Sequence, residues 1–216
     1  MIKPTVEFIN CQLFSLGYFE KVYSLCEIIT KGDKTFPAQY NSKGEYLQIN
    51  NFDKYNGVSY IRKDGDISIS EADDNLRACN NISNVSIPLK IVAIIPRKKI
   101  DIDNNFSEEL VAQTIIKSLI TKSADFKISL SARSAKILVS SYSTDSIKIL
   151  SEEYSGLSKK DVNYKYIYLS LSINMNAIVS NECLVQDCGY GYFDSICATG
   201  LEGHLFNDGE QILFNK

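Results

Sequence analysis

Three stretches of the chain repeat apolar residues at the spacing of an α-helix, and each is bounded by residues that favour helix ends. The first covers residues 5–15 and stops before Gly17, which tolerates the left-handed conformation found after many helices. The second begins at Ser107, and the third begins at Thr144-Asp145 and stops at Gly156. The residues predicted to be buried on the three helices are, in chain order, Val6, Ile9 and Leu13; Val111, Ile115, Ile116, Leu119 and Ile120; and Ile147, Leu150 and Tyr154.

Alternating apolar and polar residues, which are typical of β-strands, occupy much of the remaining sequence. Two of these segments are long, because Val85 to Ile95 and Tyr164 to Val179 each present one fully apolar face. Pro88 lacks an N–H, so its end of the first long strand should lie at an edge or carry a bulge. Shorter strands are predicted over 19–29, 36–40, 45–49, 58–62, 67–70, 127–130 and 136–142.

A tight turn is predicted at Asp64-Gly65, between the short strands 58–62 and 67–70. Both residue types tolerate the positive φ angles that two-residue hairpin turns require. The pattern therefore predicts a hairpin that joins these two strands and projects from the sheet.

Together these elements predict an α+β fold, in which a mainly antiparallel sheet is flanked on one face by two or three helices. The composition changes near Asn181, because the remaining residues hold three of the six cysteines, five glycines and the single histidine. We therefore divide the chain into an α+β domain, 1–180, and a Cys- and Gly-rich C-terminal extension, 181–216, with little regular structure.

The composition and charge narrow the range of functions. The chain has 216 residues, is 44% hydrophobic and carries a net charge of −3, which argues against a dedicated nucleic-acid binder. The basic run Arg97-Lys98-Lys99 is interpreted as a solvated strand end. No apolar run approaches the roughly 20 residues that span a membrane, and the N-terminus lacks the apolar core of a signal peptide.

Synthesis in the cytoplasm is therefore expected, and the six cysteines should stay reduced there. Cys11 and Cys26 fall in apolar patterns, which indicates small core residues.

The C-terminal extension holds the residues best suited to bind a metal or to act in catalysis, namely Cys183, Cys188, Cys197 and His204. They could form a Cys3His zinc set, but the gaps of four, eight and six residues lack the tight Cys-x2-Cys pair that structural zinc sites use. The cysteines could instead pack as small apolar residues, or form a disulfide in an oxidising medium. A cysteine nucleophile would have only His204 as its base, without a recognisable local motif. We expect no catalytic residue, no metal and no cofactor.

Several segments together resemble the tail-terminator and neck-ring proteins of phages. They are Gly17-Tyr18-Phe19-Glu20-Lys21-Val22-Tyr23, the strand Val85 to Ile95, the helix Ser107 to Thr121 and the closing strand Tyr164 to Ala177. In addition, Asn51 to Tyr60 is similar to a segment of uncharacterised virion proteins of Bacteroidetes phages, including crAss-like phages. The resemblance covers most of residues 5–180 and implies a tail-terminator-like fold, although this chain is longer than the usual terminator.

The resemblance implies a structural virion protein without enzymatic activity, made in the cytoplasm of a bacterial host. Its partners would be copies of itself in a ring at the head–neck–tail junction, neighbouring phage neck and tail proteins, and genomic DNA that passes through without sequence-specific binding. We expect no membrane partner and a neutral to acidic bore. Sheet edges and a Tyr/Ser/Asn-rich face would make the subunit contacts, with the candidate interface residues Tyr164, Tyr166, Tyr168, Asp64 and Gly65.

Two other functional classes stay open from the sequence. One is a small cytoplasmic enzyme or metal-dependent module that uses the Cys/His extension. The other is an adaptor that binds another protein by strand addition.

Overall fold

The computed structural model describes residues 1–41, 43–49, 54–71, 82–100, 108–122, 134–155 and 165–180. Within these ranges the chain forms three α-helices, eight β-strands and a turn of 3-10 helix at Arg97–Lys99. The helices are α1 (Ile2–Ser15), α2 (Glu108–Thr121) and α3 (Ser146–Glu153). The strands are β1 (Lys21–Lys31), β2 (Lys34–Tyr40), β3 (Tyr46–Gln48), β4 (Val58–Lys63), β5 (Ser68–Glu71), β6 (Ile82–Pro96), β7 (Ser134–Ser143) and β8 (Tyr166–Ser180).

All eight strands belong to one sheet with the order β3-β2-β1-β4-β6-β8-β7, and β5 pairs with β6 beside that path. Every pairing is antiparallel except that of β1 with β4. The long strands β6 and β8 pair along their whole length, from Ile82 opposite Ser180 to Pro96 opposite Tyr166. The predicted α+β class with a mainly antiparallel sheet is confirmed.

Local sequence explains where the helices begin and end. Gly17 follows α1 with a φ of 70°, the left-handed conformation that a glycine adopts without a steric penalty. At the start of α3, the Asp145 side chain accepts hydrogen bonds from the backbone N–H groups of Ile147 and Lys148 at 3.0 and 3.1 Å. Both predicted signals therefore act as expected.

The two faces of the sheet are covered by different helices. On the first face, α1 and α2 pack against the odd-numbered residues of β6 and β8, such as Ile91 and its partner Leu171. On the second face, α3 packs against even-numbered residues such as Val92 and Tyr168. From Ile91 to Ile95, β6 is apolar and buried on both faces, so both faces need a cover there. Two helices thus share one face as predicted, while the third lies on the opposite face.

The predicted hairpin at Asp64-Gly65 is wrong. β4 and β5 do not pair with each other, because both lie antiparallel to β6, one after the other along the same side. The Asp64 N–H donates to the Pro88 carbonyl at 3.1 Å, so the side of Pro88 that lacks an N–H faces the gap between β4 and β5. The proline therefore interrupts the ladder, and residues 64–67 bridge the interruption.

The positive φ predicted for Gly65 is confirmed, but it serves this interruption and not a hairpin turn. Its φ is 145°, a conformation that L side chains rarely adopt, and an added Cβ would lie 3.3 Å from Cγ of Pro88. The glycine therefore allows the chain to pass close to the proline ring.

Two helix faces differ from the sequence prediction. Ile147 is exposed, and Ile149 is buried in its place, on the same helix face as the buried Glu153 four residues further on. Ile120 of α2 is also exposed, whereas Val111, Ile115 and Leu119 are buried as predicted.

The two described cysteines differ from each other. Cys26 is free and buried, as expected of a small core residue, and burial beside Glu153 raises the pKa of its thiol. Cys11 is disulfide-bonded, which corrects the expectation of six reduced cysteines. Cys11 is half-buried on α1.

Several predicted features lie outside the described residues. They are the cap Ser107, the strand 127–130, the helix stop Gly156, the interface residue Tyr164, and the whole extension 181–216 with Cys183, Cys188, Cys197 and His204.

Candidate functional site

In the described part of the chain, the two terminal strands of the sheet, β3 and β7, each pair on one side only. Three exposed apolar or aromatic side chains lie at the β3 edge, Tyr46 and Leu47 on β3 and Tyr40 at the end of the neighbouring β2, and we call them the β3 edge patch. The rings of Tyr40 and Tyr46 pack edge to face, with 5.1 Å between their centroids. The turn beside them is built by Asn41, whose side-chain oxygen accepts from the N–H groups of Lys43 and Glu45. This edge is therefore a well-defined surface.

The β7 edge carries two large exposed side chains, Leu138 and Tyr142, which we call the β7 edge patch. The ladder to β8 is regular up to Val139 and shifts before Ser141, and the Ser140 hydroxyl donates to the Ser172 carbonyl at 2.8 Å. Such a bulge and an exposed lysine, here Lys136, restrict uncontrolled pairing of an edge strand. Among the described residues, β7 pairs only with β8, so its regular half, 134–139, keeps unpaired backbone groups on the outer side.

The structure does not gather the predicted interface residues on one surface. Tyr168 is only 3% exposed beneath α3, so a partner cannot reach it, and Tyr166 is half-buried at the end of the sheet. Asp64 accepts a hydrogen bond from the Ser172 hydroxyl at 2.8 Å and lies beside Gly65 at the β4–β5 interruption. The predicted face of tyrosines is partly buried because α3 covers its first half.

The second half of that face is not covered by any described helix. Neighbouring strands place polar side chains side by side across it, in rows such as Ser68, Ser86, Asn176 and Lys136. These residues are half-exposed or exposed. What remains of the Tyr/Ser/Asn face is therefore a surface rich in serine and asparagine.

A network of charged side chains lies between α3 and the sheet. Glu153 is fully buried, and its carboxylate accepts from Arg62 Nε at 2.9 Å and from the Tyr60 hydroxyl at 3.2 Å. Lys90 lies 3.6 Å from the same carboxylate and 2.5 Å from that of Glu152. Hydrogen bonds and opposite charges thus satisfy Glu153 where water cannot reach it.

This network also shifts the titration of its neighbours. The hydrogen bond from Lys90 lowers the pKa of Glu152, while burial raises the pKa of the Tyr60 hydroxyl, with added contributions from Tyr154 and Glu153. Tyr154 donates from its own hydroxyl to the Ile49 carbonyl at 2.7 Å. We interpret the network as the anchor of α3 on the sheet.

An open cleft of about 530 Å³, which we call the basic cleft, lies at the end of the sheet where β6 ends and β8 begins. Three separate segments bring four basic side chains to it, and one acidic side chain, Glu20, joins them. Two tyrosines, Tyr55 and Tyr166, also line the cleft. The basic residues are Lys54, Arg97, Lys98 and Lys165. The sequence signal for this site was weak, because only Arg97 and Lys98 are neighbours in the chain.

The walls of the basic cleft are fixed by hydrogen bonds. The Glu20 carboxylate accepts from the Asn56 N–H at 2.7 Å, and the Lys99 ammonium donates to the Asn56 carbonyl at 2.7 Å. Burial lowers the pKa of Lys99, and the nearby charge of Glu20 opposes that shift. The Arg97 N–H donates to the Lys165 carbonyl at 2.8 Å and so joins the ends of β6 and β8.

No family model matches the chain, and no curated protein matches its sequence. Among the described residues, no three His, Cys, Asp or Glu side chains converge on a position where a metal could bind. None of the helices in the described ranges is long and apolar enough to cross a membrane. The candidate surfaces of the described residues are therefore the two edge patches and the basic cleft.

Proposed function

We propose that the protein is a structural phage virion protein whose copies form a ring at the head–neck–tail junction, as a connector or tail terminator. The observation that supports this proposal is a sheet whose described residues leave an open edge at each end. The β3 and β7 edge patches keep large apolar side chains in water, which a subunit contact would remove from it.

The two edges differ in sequence and in length, so contact between unlike edges is the simplest arrangement. A β3 edge on one copy that meets the β7 edge of the next copy is a heterologous contact, and such contacts close into rings when the rotation between copies is suitable. Genomic DNA would pass through that ring without sequence-specific binding, and neighbouring neck and tail proteins would stack on it.

We further propose that the protein acts without catalysis. The charged groups of Glu153, Arg62 and Lys90 engage one another beneath α3, so their arrangement suits an anchor better than a reaction site. This part of the proposal concerns the described residues, since the Cys/His extension lies outside them.

The proposal is tested by measuring the mass of the purified full-length protein in solution and by imaging it with electron microscopy. We expect a closed ring for the parent protein. The variant Leu138→Lys should disable the β7 edge and Leu47→Lys the β3 edge, so each alone should fail to form rings. A matched control is Leu110→Lys, which changes an exposed leucine on α2 and should leave the ring intact.

Mixing the two edge variants distinguishes unlike-edge contact from like-edge contact. Each variant keeps one working edge, and these edges are complementary, so the mixture should form a heterodimer that cannot grow into a ring. A Leu47→Lys protein that still dimerises alone would show contact between two β7 edges, and the unlike-edge mechanism would be wrong. The virion assignment itself requires the protein in purified particles and phage structural genes beside its own.

The open β7 edge also suits a strand-addition adaptor, which is the second candidate function. A protein that stays monomeric and is missing from virions would favour the adaptor over the ring subunit.

A further inference from the structure

The basic cleft goes beyond the proposed ring contact, because it lies where β6 and β8 meet and contains neither edge patch. Its cationic character also contrasts with a chain whose net charge is −3. A local positive field on an acidic protein attracts anionic ligands to one place, so this cluster of basic residues favours binding of an anion at the cleft.

Two of the basic side chains in this region lie close to carboxylates. Arg97 pairs with Glu108 at the start of α2, and the Glu20 carboxylate lies near the Lys99 ammonium. Lys54, Lys98 and Lys165 line the cleft and are all exposed, so a ligand in solution can reach them. Because of this exposure, we expect these three lysines to make the direct contacts with an anionic ligand.

The segment that carries Lys54 is held in place by its own backbone. The Gly57 carbonyl accepts from the N–H groups of Glu20 and Lys21 at 2.9 and 3.1 Å. Gly57 has a φ of 105°, and an added Cβ would lie 2.0 Å from the Tyr18 carbonyl oxygen, so only glycine fits this close approach. Less entropy is lost on binding when the contacting residues are already positioned.

Two aromatic rings stand among the lysines of the cleft. Tyr55 and Tyr166 are half-buried, and the Lys54 ammonium lies 5.2 Å from the centre of the Tyr55 ring. Cationic side chains that follow a phosphate backbone, together with rings on which bases stack, are the combination that binds single-stranded nucleic acid. An open cleft also suits a polymer that continues beyond it at both ends.

We infer that this cleft binds single-stranded nucleic acid, with Lys54, Lys98 and Lys165 on the phosphates and Tyr55 stacked on a base. A lipid headgroup shares the phosphate chemistry but offers no base to the ring. A duplex keeps its bases stacked inside, so it would use the lysines and leave the tyrosine unused. The role of Tyr55 therefore separates these ligands.

The test uses the full-length protein and a short fluorescein-labelled oligothymidylate, with binding followed by fluorescence anisotropy at several salt concentrations. Single strands lose about 0.7 log units of affinity per log unit of salt for each contacted phosphate, so three lysines predict a slope of about −2. Replacing Lys54, Lys98 and Lys165 together with Gln should weaken binding about tenfold or more and bring the slope close to zero.

The matched control replaces Lys31, Lys34 and Lys117 with Gln, which removes the same positive charge from exposed sites elsewhere. It should leave the affinity within about twofold of the parent, since distant exposed charges are screened by salt. Tyr55→Leu should weaken oligothymidylate binding about fivefold or more but leave binding of inorganic tripolyphosphate unchanged. Thermal unfolding of each variant confirms that it is folded.

Several results would overturn the inference. They are no binding by the parent protein at low salt, equal losses in the two triple variants, and a Tyr55→Leu protein that binds the oligonucleotide normally. Stronger binding to a DNA duplex, or to phosphatidylserine vesicles, than to the oligothymidylate would also contradict it, because neither ligand needs the ring.

Discussion

The two faces of the sheet are held by different physical means. On the first face, α1 and α2 bury a continuous apolar core in which Ile9, Leu13 and Leu171 are fully buried. On the second face, the short helix α3 buries fewer apolar residues and adds the carboxylate of Glu153 between Arg62 and Lys90. α1 and α2 are held on the sheet by the apolar surface that they bury. The short helix α3 buries less apolar surface, and its charge pairs add contacts that position it on the sheet.

The comparison predicts the largest loss of stability on the first face. Leu171 lies in the middle of β8 and is fully buried against the helices. Leu171→Ala removes buried methyl groups and leaves a cavity, so we expect the free energy of unfolding to fall by about 3 kcal/mol. Urea unfolding measures it, and Leu110→Ala on the exposed side of α2 is the control, with an expected change below about 0.5 kcal/mol.

A smaller but still large loss is expected on the second face. Glu153→Ala removes the common partner of Arg62 and Lys90, but each keeps a second carboxylate, Asp64 and Glu152 respectively. We therefore expect a loss of about 2 kcal/mol, below the range for a buried pair that is left wholly uncompensated. The matched variant Glu153→Gln keeps an acceptor for the Tyr60 hydroxyl. If Glu153→Ala is as stable as the parent in the same urea titration, α3 is held by apolar contacts alone.

Removing the side-chain cap of α3 should lower the free energy of unfolding by about 1 kcal/mol. Asp145→Ala leaves the N–H groups of Ile147 and Lys148 without their acceptor, whereas Asp145→Ser keeps one. The alanine variant should unfold at lower urea than the serine variant. Equal midpoints would mean that water satisfies these N–H groups as well as the side chain does.

The smallest expected effect is the contribution of Glu152 to the pH dependence of stability. The hydrogen bond from Lys90 lowers the folded-state pKa of Glu152, so this group adds stability above its unfolded pKa, and that stability is lost as pH falls through the lowered folded pKa. Glu152→Gln should therefore be less stable than the parent near neutral pH, by roughly a few tenths of a kcal/mol because the site is partly exposed. The two proteins should converge below the folded pKa, and a constant difference across the acid range would contradict the assignment.

The sequence predicted elements whose signal is local. The periodicity of α1, the cap at Asp145 and the alternation of β6 each depend on residues that are close in the chain, and each is confirmed. The same local signal misled at Asp64-Gly65, because the true partner of both flanking strands is β6, which lies further along the chain. The conformational preferences of turn residues are local, so they cannot show that both flanking strands pair with a third strand.

The missed site features depend on distant residues as well. Ile149, which is buried in place of Ile147, shares a helix face with Glu153, and Glu153 meets Arg62 and Lys90 on two strands of the sheet. The basic cleft likewise combines four segments that lie far apart in the sequence. The net charge of the chain also gave no indication of a basic site, since acidic residues outnumber basic ones over the full sequence.

The ring and the cleft constrain each other. A lysine-lined channel would hold phosphates and slow DNA that must slide through it. If both proposals hold, the cleft faces away from the bore, where it would meet a nucleic acid other than the passing genome.

The pairing of β6 with β8 has a consequence for the protein during its synthesis. Ile82 of the one strand pairs with Ser180 of the other, so the long apolar strand β6 leaves the ribosome long before its partner. Until β8 arrives, the nascent chain holds a strand with one unpaired side and one fully apolar face, which is the kind of segment that aggregates or recruits chaperones. The rate of translation between these two strands therefore sets how long the unfinished chain is exposed to such encounters.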